Sequence, residues 1–218
     1  MGSLGLIHTV PLLIEVFKKL CADILPGVQV MHVLDEPLLK MVQQNPDSKR
    51  EQLVKRLKDH VFIAKEAGAD AVLVTCSSVS PLVDDIRDQC SIPVFKIDDA
   101  MVAEAVRRGS RIGVVATALT TLEPTRQALE QFAKSTEKKI EVRTVFVEDA
   151  LQSLMQGEGA LHDRKVKDAV KRLSKLVEVV VLAQASMARV LNVFPNAERE
   201  VPVLTSPHLA LEKVKSYL

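Results

Sequence analysis

The chain has 218 residues, of which 47% are hydrophobic and 26% are charged, and its formal net charge is +1. This composition predicts a folded protein with a buried core and excludes an intrinsically disordered chain. The balanced charge and the 3% of aromatic residues argue against nucleic-acid binding, which needs a basic surface and often uses stacking aromatics.

Short runs rich in β-branched residues alternate with amphipathic segments along the whole sequence. The predicted strands are Gly5–Val10, Val28–Val33, Ala71–Thr75, Ile92–Ile97, Arg111–Ala116, Ile140–Val147, Val179–Ala183 and Val201–Leu204. The predicted helices include Ser48–Gly68, Pro81–Gln89, Leu122–Lys134, Leu161–Leu176 and Pro207–Leu218. Strands that alternate with helices are typical of βαβ units, so we predict parallel sheets covered by helices.

The second half of the sequence repeats the first. The run that begins at Gly5 resembles the run at Gly113, an offset of 113 − 5 = 108. The segment around Cys76 resembles that around Ala185 (185 − 76 = 109), and Pro93 matches Pro202 (202 − 93 = 109). Matches at nearly one offset, in the same order, indicate an internal duplication.

The duplication predicts an α/β fold with two pseudo-symmetric halves, each a four-stranded parallel sheet flanked by helices. The first half is residues 1–99, joined by the C-terminal helix 207–218, and the second half is residues 100–206. Ligands of parallel sheets bind at the carboxyl ends of the strands, so we expect an active-site cleft between the two halves.

The end of the third predicted strand carries the strongest functional signal. Cys76 follows the strand and precedes Ser77 and Ser78, and a helix is predicted to begin near Ser80 or Pro81 with Ser80 as its cap. A helix N-terminus stabilises a thiolate, and backbone N–H groups there can bind a carboxylate. The alternative is that Cys76 is an ordinary buried core residue, but its polar neighbours favour a function.

Other strand ends supply further candidates. In the first half these are His8 and Thr9, and His208 follows the last strand; either histidine could act as an acid or base. The corresponding second-half candidates for substrate binding are Thr117, Ala118, Ala185 and Ser186, and Gln184 could fix a polar substrate group. Thr121 and Asp98 are interpreted instead as helix caps.

The sequence predicts neither a metal site nor a bound cofactor. Histidines without a partner at ligand spacing are His32, His60 and His162, and no glycine-rich phosphate loop is present. The basic run of residues 49–58 is interpreted as a solvated helix face. An odd, sparse set of three cysteines, without a signal-peptide pattern or an apolar run of about 18 residues, leads us to expect a cytoplasmic protein that binds no membrane. We also expect the chain to form a homo-oligomer.

The duplicated halves, the Thr-Cys-Ser-Ser strand end at 75–78, the segment Ile112–Thr117 and the turn Leu182–Met187 resemble the aspartate/glutamate/hydantoin racemase superfamily over the whole chain. That superfamily includes maleate isomerase and arylmalonate decarboxylase. The resemblance implies a cofactor-independent enzyme that acts on a small carboxylate through an enolate-like intermediate. In its racemases, one cysteine from each half faces the α-carbon from opposite sides, and groups after each strand hold the carboxylate.

This sequence departs from that pattern in the second half. The first cysteine of the family matches Cys76, whereas the second is aligned with Ala185, which cannot exchange a proton. Cys21 and Cys90 lie away from the strand ends. A racemase or isomerase with Cys76 as thiol acid/base would take its second proton from His8, His208 or a held water. The alternatives are a single-cysteine decarboxylase of the arylmalonate decarboxylase type and a non-catalytic carboxylate-binding protein.

Overall fold

A computed structural model of the chain describes residues 2–44 and 48–218. It divides into two compact units, one comprising Met1–Ile97 with Pro207–Leu218 and the other Asp98–Ser206. Each unit is built around one four-stranded sheet whose strand pairs are all parallel. The predicted α/β class, with two four-stranded parallel sheets flanked by helices, is therefore confirmed.

The sheet of unit 1 has the strand order β2-β1-β3-β4. Its strands are β1 (Ser3–His8), β2 (Gln29–Leu34), β3 (Ala71–Val74) and β4 (Val94–Lys96). The helices of this unit up to β4 are α1 (Leu12–Ile24), α2 (Glu36–Gln44), α3 (Arg50–Glu66) and α4 (Ser80–Ile86), followed by a short 3-10 helix at Arg87–Gln89.

The sheet of unit 2 has the equivalent order β6-β5-β7-β8. Its elements in chain order are α5 (Asp99–Arg108), β5 (Arg111–Ala116), α6 (Leu119–Ser135), β6 (Glu141–Phe146), α7 (Ala150–Met155), α8 (Gly159–Ser174), β7 (Val179–Leu182), 3-10 helices at Ala185–Asn192 and Asn196–Glu198, and β8 (Val203–Thr205). The last helix, α9 (Ser206–Lys215), belongs to unit 1 from Pro207 onward.

Matching glycines let one helix approach the central strand in each unit. In unit 1, a Cβ at Gly5 of β1 would lie 2.9 Å from Cβ of Ala64 on α3. In unit 2, a Cβ at Gly113 of β5 would lie 2.6 Å from Cδ2 of Leu173 on α8. Both distances are too short for a real side chain, so glycine permits the close packing at both positions. Gly5 and Gly113, which are 113 − 5 = 108 positions apart, therefore occupy equivalent places in the two units.

Two residues that were predicted to cap helices, Thr121 and Asp98, do not cap them through their side chains. Helix α6 begins at Leu119 rather than Leu122, because the N–H and hydroxyl of Thr121 both donate to the carbonyl of Ala118, at 3.1 and 2.7 Å. Thr121 therefore lies inside the first turn and is not the cap. Asp98 precedes α5 but makes no capping hydrogen bond with its side chain. Among residues 2–44 and 48–218, no helix has the length and apolar character needed to cross a membrane.

Candidate active site

Cys76 lies at the carboxyl end of β3, a central strand of the unit 1 sheet. Its carbonyl accepts hydrogen bonds from the N–H groups of Val79 and Ser80, both at 3.0 Å, so the chain turns directly into α4. The Ser80 hydroxyl donates to the same carbonyl at 3.3 Å, which means that Ser80 is the first helical residue and not a side-chain cap. The thiol group therefore belongs to the residue at the start of a helical turn, where the helix dipole favours an anion.

The residues around Cys76 are polar although they are buried. Cys76 is 8% exposed, and Ser77 and Ser78 are 4% and 6% exposed. Within the described ranges of the chain, no cluster of three or more histidine, cysteine or acidic side chains could hold a metal ion. The chemistry that this strand end offers is therefore that of a thiol flanked by hydroxyl and amide groups.

The other two cysteines have thiols that are less acidic than an ordinary cysteine thiol. Burial raises the pKa of Cys21 to about 11, and burial also raises the pKa of Cys90, although Lys58 opposes that shift. Because the thiolate is the form that reacts, we predict that iodoacetamide alkylates Cys76 first on the folded protein near neutral pH. Peptide mapping after timed alkylation checks this order. Faster labelling of Cys21 or Cys90 would remove the chemical basis for assigning Cys76.

His8, a candidate for substrate binding and acid/base chemistry, has an environment that favours a structural role. Its side chain is completely buried. Nδ1 lies 2.8 Å from the hydroxyl oxygen of Thr75, and Nε2 lies 2.9 Å from Nδ1 of His32. The Thr75 hydroxyl donates to the carbonyl of Ile7, so it accepts from Nδ1–H of His8, and Nε2 of His8 accepts from His32. Both ring nitrogens are thus engaged within unit 1.

Burial, followed by the proximity of His32, lowers the pKa of His8 from 6.5 to about 4. The folded state therefore binds this proton less readily than the unfolded state. The resulting stability is complete above pH 6.5 and is lost as the pH falls toward 4, by on the order of 3 kcal/mol. Urea denaturation at several pH values measures this slope. We expect His8→Gln to flatten the slope, and an unchanged slope in this variant would contradict the assignment.

The buried carboxylate of Asp35, at the carboxyl end of β2, is the centre of a part-exposed ion cluster that the sequence pattern did not reveal. Its carboxylate accepts from Arg56 Nε at 2.5 Å and Nη2 at 2.9 Å, lies 2.5 Å from His60 Nε2, and accepts from the N–H of Leu38 at 3.0 Å. Burial would raise the pKa of Asp35, but these hydrogen bonds outweigh it and lower the pKa to about 2. Arg56 therefore anchors α3 to the start of α2, and the run 49–58 is not only a solvated face.

In unit 2, the side chain of Gln184, which follows β7, accepts hydrogen bonds from the segment that follows β5. Its Oε1 accepts three hydrogen bonds, from the N–H of Thr117 at 2.6 Å, the hydroxyl of Thr117 at 3.0 Å and the N–H of Ala118 at 3.2 Å. We call these three donors the β5 cradle. Since all three are donors, the amide oxygen is fixed toward them. The candidate substrate groups Thr117 and Ala118 thus bind a side-chain oxygen of the protein itself.

The strand register corrects the residue that corresponds to Cys76. The N–H of Thr75 donates to Ile7 in unit 1, and the N–H of Ala183 donates to Val115 in unit 2. Both residues of the second pair lie 108 positions after those of the first (183 − 75 and 115 − 7).

The turns that follow β3 and β7 contain equivalent hydrogen bonds, again 108 positions apart in the sequence. Val79 N–H donates to the Cys76 carbonyl and Met187 N–H to the Gln184 carbonyl, both at 3.0 Å. The counterpart of Cys76 is therefore Gln184 (184 − 76 = 108), and Ala185 corresponds to Ser77.

The remaining candidates are distributed over both units. Ser186 is half-buried directly after Ala185, which is 6% exposed. His208 is exposed in the first turn of α9, in unit 1. Thr9 follows β1 and is 2% exposed, and its hydroxyl oxygen has no hydrogen-bond partner in the part of the chain that the structure describes.

Comparisons with known proteins agree on one family and one fold. Residues 9–214 match the model of the Asp/Glu/Hydantoin racemase family. An uncharacterized protein of Schizosaccharomyces pombe is 28% identical over 154 residues, which cover 66% of this chain and 62% of that protein. The chain therefore spans about three fifths of the length of that relative.

Solved structures of low sequence identity share the fold. A glutamate racemase from Francisella tularensis in complex with D-glutamate has a TM-score of 0.77 at 15% identity, covering 100% of this chain and 80% of that one. An aspartate racemase homologue from Pyrococcus horikoshii has a TM-score of 0.72 at 20% identity, covering 100% and 99%. An allantoin racemase from Klebsiella pneumoniae has a TM-score of 0.67 at 18% identity, covering 99% and 87%.

Proposed function

Since the chain belongs to the Asp/Glu/hydantoin racemase family, we propose that it is a cofactor-independent enzyme of the racemase/isomerase type, with Cys76 as its thiol acid/base. The substrate is a small molecule with a carboxylate next to the carbon that reacts. The observation that carries this proposal is the position of Cys76 at the carboxyl end of a central parallel strand, at the start of a helical turn.

The proposed reaction moves one proton. The thiolate of Cys76 removes the α-proton, and the electron pair of the broken C–H bond moves into the carboxylate to form an enolate-like intermediate. Returning that proton to the same face only re-forms the substrate. Inversion therefore needs a proton on the opposite face, from a held water or His208, after which the Cys76 thiol loses its proton to solvent and the thiolate is regenerated. Ser77 and Ser78 would stabilise the developing charge on the carboxylate oxygens through their amide and hydroxyl groups.

Gln184 supports a one-thiol mechanism. A carboxamide does not exchange protons near neutral pH, so the unit 2 counterpart of Cys76 supplies neither an acid nor a base. A second proton donor would have to be a held water or His208. We keep His208 as the candidate for this role because it is exposed, whereas both nitrogens of His8 are engaged.

The engaged amide of Gln184 also favours the decarboxylase alternative. In that reaction the bond between the α-carbon and one carboxylate breaks, CO2 leaves, and the electron pair forms the enolate. The Cys76 thiol then protonates the α-carbon, and the thiolate regains a proton from water. One acid on one face is sufficient for this sequence. A carboxylate-binding protein without activity would keep the same pocket but catalyse neither step.

One screen distinguishes the three functions. Small 2-substituted carboxylic acids and malonic acids are incubated with the protein in heavy water, and α-deuterium and CO2 are measured by NMR and gas analysis. Deuterium uptake without CO2 supports the racemase/isomerase type, and CO2 release supports the lyase. Compounds that protect Cys76 from alkylation but show neither product would indicate a binding protein. Cys76→Ser is the blank, and Cys90→Ser is the matched control that should behave like the natural chain.

A further inference from the structure

A series of buried hydrogen bonds leads to the residue directly before Cys76. Nδ1–H of His32 donates to Nε2 of His8 at 2.9 Å, and Nδ1–H of His8 donates to the hydroxyl oxygen of Thr75 at 2.8 Å. The Thr75 hydroxyl in turn donates to the carbonyl of Ile7 at 3.0 Å. His8 and Thr75 are 0% and 1% exposed. We call the side chains of His32, His8 and Thr75 the His8 network.

The His8 network has one arrangement of protons. The hydroxyl proton of Thr75 is used on a carbonyl, so the hydroxyl oxygen must accept from Nδ1–H of His8. Nε2 of His8 is then an acceptor, and His32 supplies its donor. Phe17 of α1 packs against the His8 ring, with the ring centroids 5.5 Å apart. The imidazole is therefore fixed both in its tautomer and in its orientation.

Thr75 joins this network to the backbone at the strand end. Its N–H donates to the Ile7 carbonyl at 3.0 Å, so the hydroxyl and the N–H of Thr75 bind the same oxygen of β1. The ladder between β1 and β3 ends at Val74, and Thr75 is the next residue. The turn that begins at Cys76 therefore starts from a residue that is bonded twice to β1.

Unit 2 has the same backbone arrangement without the polar side chains. The counterparts of His8 and Thr75 are Ala116 and Ala183 (116 − 8 = 108 and 183 − 75 = 108), and both alanines are 0% exposed. Burying an imidazole and a hydroxyl has a desolvation cost that a methyl group does not have. The α/β unit thus forms with apolar residues at these positions, and the buried polar pair occurs in the unit whose strand end carries a thiol.

We propose that His8 and Thr75 are positioning residues for Cys76: the imidazole, held by His32, fixes the Thr75 hydroxyl and thereby holds the strand end that presents the thiol. This inference rests on the proposed function and specifies it. Neither residue contacts the substrate or exchanges a proton with it. Proton transfer from carbon needs a base at a defined distance, and a displacement of about 1 Å can lower the rate by on the order of 10²-fold.

Paired substitutions separate the hydrogen bond from the volume of the side chain. Thr75→Val removes the hydroxyl and keeps the shape, whereas Thr75→Ser keeps the hydroxyl. His8→Leu removes the donor to Thr75, whereas the amide N–H of His8→Asn lies near the place of Nδ1. The matched control is His162→Leu, because His162 is also 0% exposed and its Nδ1 lies 2.8 Å from Oδ1 of Asp163, on α8 and away from any strand end.

The experiment uses iodoacetamide as the probe and measures the alkylation rate of Cys76 against pH by peptide mapping. Thr75→Val and His8→Leu should lower the rate near neutral pH roughly two- to tenfold and move the profile to higher pH, because a displaced thiolate loses the stabilisation of the helical turn. The double variant should lose no more than the larger single loss, because both substitutions break the same hydrogen bond. Thr75→Ser, His8→Asn and His162→Leu should keep the natural profile, although His162→Leu lowers the thermal midpoint.

An unchanged profile in Thr75→Val and His8→Leu would overturn the positioning role. An equal shift in His162→Leu would do the same, since the effect would then follow from a general loss of stability. If His8→Leu does not fold, Thr75→Val carries the test, because it changes almost no volume. Each of these results leaves the proposed function standing, whereas full turnover in Cys76→Ser would refute the proposed function whatever the alkylation profiles show.

Discussion

Replacing Cys76 with serine is expected to lower turnover by about 10²–10⁴-fold, the contribution that a positioned acid or base makes to a proton transfer. A serine hydroxyl is almost the same size as the thiol, but its pKa is far too high for it to act as a base near neutral pH. The fold should persist, because the new hydroxyl lies at a strand end among Ser77 and Ser78. Initial rates and thermal midpoints of the purified variant measure both effects.

Cys90→Ser serves as the matched control, because Cys90 is partly buried on a segment that follows α4 and belongs to no strand end. Its turnover should equal that of the natural chain. If Cys76→Ser keeps most of its activity while remaining folded, another group performs the proton transfer. The same loss of activity in Cys90→Ser would indicate a general effect of removing thiols.

Replacing Gln184 with cysteine is expected to create α-proton exchange of the previously inert enantiomer, because it places a thiol at the unit 2 counterpart of Cys76. In the racemase mechanism that the family resemblance implies, each half supplies one thiol, and Gln184 stands at the counterpart of Cys76. The substitution also withdraws the amide oxygen from Thr117 and Ala118. A gain of on the order of 10²-fold or more in exchange of the previously inert enantiomer is therefore expected. NMR in heavy water with separate enantiomers measures it.

The control for this gain is the neighbouring substitution Ala185→Cys. Ala185 is the counterpart of Ser77, so a thiol there should leave the exchange of the inert enantiomer unchanged. If Ala185→Cys gives the gain and Gln184→Cys does not, the correspondence deduced from the strand register is wrong. A loss of folding in Gln184→Cys would appear in the thermal midpoint and is checked against Gln184→Ala.

The duplication could be predicted from sequence because strand–helix alternation is a repeated local pattern. Gly5 and Gly113 belong to matching strand starts, and the structure shows that both permit close helix packing. The exact partner of Cys76 could not be deduced in this way. The segments before Cys76 and before Gln184 consist mostly of valine, leucine and alanine, and such segments align almost equally well when shifted by one residue. Backbone hydrogen bonds fix the register, and they are not visible in a local sequence match.

The other differences arise from contacts between residues that are distant in sequence. The environment of His8 is set by His32, which lies 24 positions away on the neighbouring strand β2. Asp35 is held by Arg56, 21 positions away on α3. A charged residue in a basic run is usually solvated, so the pattern of residues 49–58 gave no indication of this buried partner. Only the position of Asp35 between a strand and a helix could have indicated a cap.

The central claim is that Cys76 is the single thiol acid/base and acts on one face of the α-carbon. The most direct test measures α-deuterium exchange of each pure enantiomer of an accepted substrate, in heavy water, with the natural chain. The account predicts that one enantiomer exchanges and that the other exchanges slower by on the order of 10²-fold or more. Equal exchange of both enantiomers would show that a second group, such as His208, serves the opposite face, and the one-thiol mechanism would then be wrong.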